Sequence, residues 1–220
     1  MYNQPVAWRK TSPSAIDAIV DEVLRRIGAA HDPHSVVIGV SNHHVHLSHD
    51  DLVTLFGKDE FTVFRTVRQP GEFGANETVT VRGPKSSLRN VRCMGPCRPQ
   101  SQVELSRTDA IVLGVDAPLT QSGHLENAAP IDIEGPLGCI HLEHGAMVAA
   151  RHIHCDPEFA ACLGCRDQDL IKVKVDGERG GVLDNVIVRT KAGWLAEVHL
   201  DTDEANAFGL KSGQFVRLVI

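Results

Sequence analysis

The sequence predicts a mainly β protein built from small barrels or sandwiches. Its apolar segments are short, and residues 170–175 alternate between apolar and polar side chains. Turns rich in glycine and proline separate these segments. A parallel sheet wrapped by long helices would need long amphipathic segments between the strands, and the sequence after residue 36 lacks them. We expect strands at residues 36–40, 79–81, 88–93, 103–105, 110–115, 131–133, 139–142, 147–150, 170–175, 182–189 and 215–220.

Composition and charge limit the classes of protein that the chain can belong to. Of its 220 residues, 42% are hydrophobic and 23% charged, which is ordinary for a globular protein. The formal net charge of -6 gives no general attraction to nucleic acid or to an anionic membrane, so we expect neither as a partner. No apolar run approaches the ~20 residues that span a bilayer, and the first 14 residues lack the apolar core of a signal peptide. We therefore expect a cytoplasmic protein.

An internal repeat organises much of the chain. Each copy has a strand ending in histidine, a Ser or Asp suited to cap a helix, about two helical turns, and a glycine. The first segment of the chain differs, because residues 16–27 carry apolar side chains at helical spacing before Gly28. The copies contain the histidines His44, His152 and His199, and their helices end at the glycines Gly57, Gly164 and Gly209.

The histidines of the repeat indicate a metal site. Side chains two apart on a strand point to the same face, so His44 and His46 can share one ligand, and so can His152 and His154. A single pair of this kind is equally well explained by a solvated strand edge. Two pairs at equivalent corners, with His199 in the third copy, favour metal binding. Five imidazoles and a carboxylate would serve two zinc-like ions with open coordination positions.

Glu104 and the basic segment before it are candidates for the carboxylate and for anion binding. Strand alternation turns Glu104 away from its apolar neighbours, although spacing alone fits an exposed carboxylate better. Arg98 ends the segment 82–98, which has no acidic residue between its ends. The planar guanidinium suits phosphate because it donates two parallel hydrogen bonds. The segment predicts a local anion site, while for Arg89 a solvated strand face stays open as the alternative.

The cysteines offer a rival metal site. Cys162 and Cys165 have zinc-ribbon spacing, and Cys93 and Cys97 lie four residues apart. Cys162 falls within the predicted helix of the second copy, where an apolar residue is expected. We interpret these cysteines as buried free thiols, in keeping with a reducing compartment.

Several stretches of the chain resemble PduL-type phosphotransacylases (phosphate propanoyltransferases) of bacterial microcompartments. They follow the family's order through most of residues 36–208. His43 departs from the family, which usually has Arg or Lys there, and so do the cysteine-rich stretches 93–97 and 162–165. The matching stretches are residues 39–48, 69–73, 76–79, 102–109, 150–154, 175–179 and 199–206.

The resemblance implies a fold and a domain division. The fold would be mainly β, with two small β-barrels capped by short helices and the metal site between them. One domain would comprise residues 33–42 and 150–220, and the other residues 43–149 with a lid around residues 65–98. Residues 1–32 would form a tail whose helix directs the enzyme into a bacterial microcompartment by contacting shell or cargo proteins. The alternative is that this helix packs on the enzyme or on a partner subunit, and we expect a homodimer.

The resemblance also implies the activity: reversible transfer of a propanoyl or acetyl group between coenzyme A and inorganic phosphate, by direct zinc-assisted transfer. The alternatives are a binuclear zinc hydrolase of the His-x-His type and a non-enzymatic zinc-stabilised scaffold. One zinc ion would be held by His44, His46 and Glu104, and the other by His152, His154 and His199. Arg98 would be catalytic and bind phosphate, and Val40, Gln69, Pro70, Gly71 and Arg89 would contact coenzyme A or the acyl substrate.

Overall fold

The computed structural model describes residues 32–220, and the expected helix at residues 16–27 lies outside the described residues. The described part is mainly β, which confirms the predicted fold class. Its helices are α1 (His49–Phe56), α2 (Arg107–Leu113), α3 (Pro157–Cys162) and α4 (Thr202–Phe208). Its strands are β1 (Ser35–Ser41), β2 (His44–His46), β3 (Val63–Thr66), β4 (Phe73–Arg82), β5 (Ser87–Gly95), β6 (Gln102–Leu105), β7 (Leu119–Thr120), β8 (Ala129–Glu134), β9 (Cys139–Ala149), β10 (His152–Cys155), β11 (Leu170–Val175), β12 (Gly181–Thr190), β13 (Glu197–Asp201) and β14 (Phe215–Val219).

The strands close into two barrels of six strands each. The terminal barrel has the order β1-β13-β10-β12-β11-β14 and closes through the antiparallel pairing of β14 with β1. The central barrel runs β4-β5-β2-β6-β9-β8 and closes where β8 pairs with β4. Strands β3 and β7 add to the central barrel on β4 and β9. The chain therefore crosses between barrels twice, from β1 to β2 and from β9 to β10.

Each barrel has its own hydrophobic core. In the central barrel, Val45, Val91 and Val103 are fully buried together with Leu52 of α1. The terminal barrel encloses a second cluster that includes Ile38, Val173 and Val186. The alternation of side chains along a strand explains these cores. In β11, for example, every second side chain is buried. The polar side chains of β2, β6, β10 and β13 are therefore directed away from both cores.

The structure adds a fourth strand-to-helix corner to the three that the repeat predicts. Residues 110–115, predicted as a strand, lie largely in α2. Ser106 caps this helix in a capping box with Asp109, and Gly114 ends it with a φ of 74°. These local bonds outweigh the β preference of the apolar run. Each barrel consequently has two such corners: β2–α1 and β6–α2 in the central barrel, β10–α3 and β13–α4 in the terminal barrel.

Other differences concern the strands of the central barrel. The sequence predicts strands at 139–142 and 147–150, whereas the structure has the single long strand β9, which pairs with β8 along most of its length. The exposed side chains at Glu143 and His144 interrupt the apolar pattern without interrupting the strand. Strands β3 and β7 lie outside the predicted segments. Among residues 32–220, no helix has the length and apolar character that crossing a bilayer requires.

Candidate metal centre

Both barrels contribute to one cleft with a volume of about 980 Å³. Strands β2 and β5 supply its wall on the central barrel, and β10, β12 and β13 supply the opposite wall. The cleft holds all six predicted metal ligands and the predicted catalytic arginine: His44, His46, Glu104, His152, His154, His199 and Arg98.

His44, His46 and Glu104 form a histidine–glutamate cluster on the central barrel. Strands β2 and β6 pair in antiparallel fashion with His44 opposite Glu104. The Nε2 atoms of His44 and His46 lie 3.5 and 3.6 Å from the Glu104 carboxylate oxygens. The potential ligand atoms of the three side chains all lie within 4.8 Å of one another.

His152, His154 and His199 form a three-histidine cluster on the terminal barrel. Their potential ligand atoms also lie within 4.8 Å of one another. The rings of His152 and His199 are stacked, with centroids 5.1 Å apart, because β10 and β13 place these residues opposite each other. Trp194 packs against His154 with a centroid distance of 4.0 Å. This indole gives the cluster an apolar wall.

The two clusters occupy equivalent positions in the two barrels. In the β2–β6 pair, His44 faces Glu104 and His46 faces Gln102. In the β10–β13 pair, His152 faces His199 and His154 faces Glu197. The register thus matches Glu104 to His199 and Gln102 to Glu197. The repeat seen in the sequence is a duplicated corner that places one donor cluster on each barrel.

Burial fixes the protonation of most of the ligand side chains. Burial and, to a smaller extent, the neighbouring His199 lower the pKa of His152 to about 3. Burial also holds the pKa values of His46 and His154 well below the usual range of histidine. For Glu104 burial opposes ionisation, yet His44, His46 and the Ser122 hydroxyl together hold its pKa well below the usual range. These side chains therefore present lone pairs near neutral pH.

The donor sets fit a zinc-like metal. Both nitrogens of His154 are buried without a hydrogen-bond partner among the described residues, as is Nδ1 of His46. An unpartnered buried polar atom is unfavourable unless something else satisfies it. Neutral imidazoles and a carboxylate are ligands that zinc accepts. Three protein donors at each cluster would leave open positions for a substrate.

Arg98 brings positive charge to the histidine–glutamate cluster. Its Nη1 atom donates a 2.8 Å hydrogen bond to the Ser122 hydroxyl and lies 4.0 Å from the Glu104 carboxylate. The backbone N–H of Arg98 bonds to the carbonyl of Leu47, which fixes the position of the loop after β5. The guanidinium keeps donors available for an anion in the cleft.

The predicted substrate-binding residues lie in different environments. Val40 lines the cleft, and its backbone N–H bonds to the Ser212 hydroxyl. Gln69 is buried between the barrels, whereas Pro70 and Gly71 beside it form an exposed turn. Arg89 is exposed on β5 and is not among the described residues that line the cleft.

Sequence reasoning missed four side chains that complete the site. Gln102 and Ser122 each hydrogen-bond to the Glu104 carboxylate, at 2.7 and 2.6 Å. Arg189 lines the cleft beside His154 and makes no ion pair with a described carboxylate. The fourth is Glu197. Two signals could have found Gln102 and Glu197: each lies two residues before a predicted ligand, and the stretch 103–106 repeats the pattern of 198–201. Neither signal points to Ser122 or Arg189.

The cysteines do not form a rival site in the described part of the chain. The candidate metal-binding groups found in residues 32–220 contain only histidine and glutamate. Cys93 and Cys165 are buried in the cores of different barrels, as predicted for free thiols, but Cys162 is exposed. Burial raises the pKa of Cys93 to about 12, so its thiol stays protonated and inert near neutral pH.

Two symmetric donor sets and an arginine in one water-accessible cleft are typical of a metal-assisted enzyme that handles an anion. Comparison with known proteins agrees: the family model described as phosphate propanoyltransferase matches residues 37–211. Curated phosphate propanoyltransferases are similar over most of their length. The Thermotoga maritima protein is 48% identical over 84% of this chain and 89% of its own, and the Rhodopseudomonas palustris protein is 44% identical over 92% and 96%. The Salmonella typhimurium protein is 40% identical over 94% of this chain and 95% of its own.

The chain therefore belongs to the phosphate propanoyltransferase family. It is an enzyme of the transferase class, as the resemblance predicts, and the non-enzymatic scaffold is set aside.

Proposed function

We propose that this protein transfers a short acyl group, propanoyl or acetyl, between coenzyme A and inorganic phosphate. The reaction is acyl-CoA + phosphate = acyl phosphate + CoA, reversible in direction. The observation that carries the proposal is the pair of donor clusters facing one cleft beside Arg98, in a chain of this family.

Zinc is the cofactor that the donor sets fit, with His44, His46 and Glu104 holding one ion and His152, His154 and His199 the other. When bound, such ions supply Lewis-acid stabilisation of the thioester oxygen and of the departing thiolate.

The chain's own side chains bring the two anionic reactants together. Arg98 binds phosphate, and its hydrogen bond to Ser122 aims the guanidinium into the cleft. Arg189 offers a second guanidinium from the opposite wall, with no described carboxylate paired to it. Two cations reduce the repulsion between phosphate and the phosphates of coenzyme A. Holding both reactants in one geometry lowers the entropic part of the barrier.

Transfer is direct in this scheme. A phosphate oxygen attacks the thioester carbon, the C–S bond breaks, and the sulfur leaves as the thiolate of coenzyme A. Among the described residues, no cysteine lines the cleft to act as a protein nucleophile. Trp194 keeps one side of the three-histidine cluster apolar, which disfavours attack by water.

The test is product analysis with propanoyl-CoA and phosphate. The proposal expects acyl phosphate and free coenzyme A in equal amounts, in a reaction that requires phosphate. A binuclear zinc hydrolase would release the free acid without phosphate. Acetyl-CoA and propanoyl-CoA should be compared in parallel, since a single methylene changes binding by only about 1 kcal/mol.

A finer test addresses Arg98. Replacement by alanine removes a charge-assisted contact worth about 1.5–3 kcal/mol, so Arg98→Ala should raise the KM for phosphate roughly 10- to 100-fold. The KM for acyl-CoA should change far less. Arg166→Ala removes an exposed guanidinium outside the cleft and is the matched control. Normal phosphate kinetics in Arg98→Ala would refute the assignment.

The tail and the assembly belong to the same proposal. Residues 1–32 act as a targeting segment for a bacterial microcompartment, and the enzyme works as a homodimer. Deleting residues 1–30 should abolish encapsulation and leave the activity intact. Insolubility or loss of activity in that variant would favour packing of the tail on the enzyme. Sedimentation analysis of the full chain tests the dimer.

A further inference from the structure

Glu197 is a buried carboxylate beside the three-histidine cluster that the proposed chemistry leaves without a role. Only 7% of its surface is exposed. Its Oε2 atom lies 3.3 Å from Nε2 of His199, without hydrogen-bond geometry, and accepts a 2.9 Å hydrogen bond from Gln69. Burying a carboxylate is unfavourable unless its neighbours compensate for the lost water. Its presence in this position therefore needs an explanation.

The neighbouring strand leaves space for this carboxylate. Gly39 of β1 lies opposite His199 in the parallel pairing with β13. A Cβ atom at Gly39 would lie 2.8 Å from Oε1 of Glu197, closer than van der Waals contact allows. Gly39 is not among the residues with positive φ, so its backbone does not require glycine. The absence of a side chain at Gly39 leaves room for the Glu197 carboxylate.

The central barrel shows what a residue at this position does. Gln102 faces His46 as Glu197 faces His154. Its amide donates a 2.7 Å hydrogen bond to Glu104, the ligand two residues further along the strand. An amide donor thus supports a carboxylate ligand in one barrel. In the other barrel a carboxylate lies beside an imidazole ligand, which is the complementary arrangement.

Gln69 connects Glu197 to the opposite barrel. Besides its bond to Glu197, the Gln69 amide donates to the carbonyl of Leu195 and accepts from the Leu195 N–H, at 3.0 and 3.3 Å. The side chain is 1% exposed, so these bonds are shielded from water. Displacement of the 69–71 turn must break at least one of them.

We propose that Glu197 is a positioning residue for the three-histidine cluster, and that it transmits the position of the 69–71 turn to His199 through Gln69. The inference rests on the proposed function, because it takes the cluster as a metal site of the transferase. Because Glu197 faces Nε2 of His199, Nδ1 is the nitrogen of that ring left for the metal in this proposal. Residues that orient a metal ligand through its other ring nitrogen typically change metal affinity 10- to 100-fold when they are replaced.

The test uses Co²⁺ as the probe, because its visible absorption reports ligand geometry without requiring catalysis. A His46→Ala background removes a donor of the histidine–glutamate cluster and leaves the three-histidine cluster complete. In that background, Glu197→Gln keeps the side-chain shape and removes the charge. We expect Co²⁺ to bind 10- to 100-fold more weakly, with a changed absorption spectrum. Glu126→Gln, an exposed carboxylate outside the cleft, is the control.

Unchanged Co²⁺ affinity and spectrum in Glu197→Gln would overturn the proposal, and so would a background protein that binds no Co²⁺. Gly39→Ala gives a second route, since its methyl group displaces the carboxylate, and it should weaken Co²⁺ binding in the same direction. Gln69→Leu should do so to a smaller extent. These two variants decide the matter if circular dichroism shows that Glu197→Gln does not fold. A wild-type protein that binds Co²⁺ yet forms no acyl phosphate would refute the proposed function and leave the Glu197 inference standing.

Discussion

At the scale of single residues, the segments that lead into the histidine strands also orient the first imidazole of each pair. Nδ1 of His44 lies 2.8 Å from the carbonyl oxygen of Asn42, and Nδ1 of His152 lies 2.8 Å from that of Ala150. A carbonyl oxygen can only accept, so Nδ1 carries the proton and Nε2 keeps its lone pair. The backbone therefore selects the tautomer that can bind a metal through Nε2.

Loss of one imidazole should empty one cluster and spare the other. In His154→Ala we expect the zinc content to fall from two ions per chain to one, since the chain has two separate donor sets. Elemental analysis of the purified protein measures this. His124→Ala, an exposed histidine outside both sets, should keep the full content. An undiminished zinc content in His154→Ala would contradict the assignment.

The Ser122 hydroxyl joins three functional side chains. It donates to Glu104 at 2.6 Å and accepts from Gln102 and Arg98 at 2.7 and 2.8 Å. In Ser122→Ala both donors lose an acceptor, which costs about 1 kcal/mol. The KM for phosphate should rise about fivefold because Arg98 is no longer aimed. Ser86→Ala, an exposed serine, should leave it unchanged, and equal KM values in the two variants would count against this role.

At the scale of elements, the sequence predicts the repeat but not its full extent. Strand ends, caps and glycines are local signals, so the corners at His44, His152 and His199 could be recognised. The corner after Glu104 was hidden, because the run 110–115 is apolar enough to resemble a strand. The capping box of Ser106 and Asp109 stabilises a helix there instead. Alternation makes Glu104 a candidate carboxylate, but only the resemblance assigns it to a metal, although its corner carries the same signals.

The capping box should contribute measurably to stability. Ser106→Ala removes the acceptor of the Asp109 N–H, so the free energy of unfolding should fall by about 1 kcal/mol. Urea denaturation measures the change. Thr108→Ala in the same helix removes no cap and is the matched control. A loss no larger than that of Thr108→Ala would show that tertiary packing alone holds α2.

Glu77 of β4 should make stability depend on pH. Burial disfavours its charge, but the ammonium of Lys58 at 2.6 Å and the Thr62 N–H hold its pKa below the usual value of 4.5. A lowered pKa stabilises the folded state above about pH 4.5, and this stabilisation is lost as the pH falls through the folded-state pKa. Between about pH 6 and pH 3, the free energy of unfolding should therefore fall more for the wild type than for Glu77→Gln. Urea denaturation at each pH measures both values. Equal losses of stability in the two proteins would contradict this prediction.

At the scale of the whole molecule, each donor cluster belongs to one barrel, while the cleft belongs to both. Contacts between the barrels are made by the Gln69 amide on Leu195 and by the Thr108 N–H on Asp203, at 3.0 and 2.7 Å. Gln69 and Leu195 are 126 residues apart in the chain. Periodicity reports neighbours within one strand or helix, so such contacts could not be predicted from it. Only the family resemblance predicted that the two clusters would lie in one cleft between the barrels.

Metal removal should loosen the barrels separately. Because neither cluster bridges the barrels, chelation should speed hydrogen exchange in β2 and β6 and in β10 and β13. The amide of Thr108, bonded across the barrels, should be affected less. Mass spectrometry of exchanged peptides compares the two regions. Faster exchange confined to the Thr108 contact would mean that the metals hold the barrels together.

The central barrel is inserted between β1 and the remaining strands of the terminal barrel. During synthesis the ribosome therefore releases every strand of the central barrel, with His44, His46 and Glu104, before His152 emerges. Strand β1 has no partner strand until β13 and β14 have been synthesised. The side chains of the histidine–glutamate cluster can thus come together first, and the three-histidine cluster assembles last.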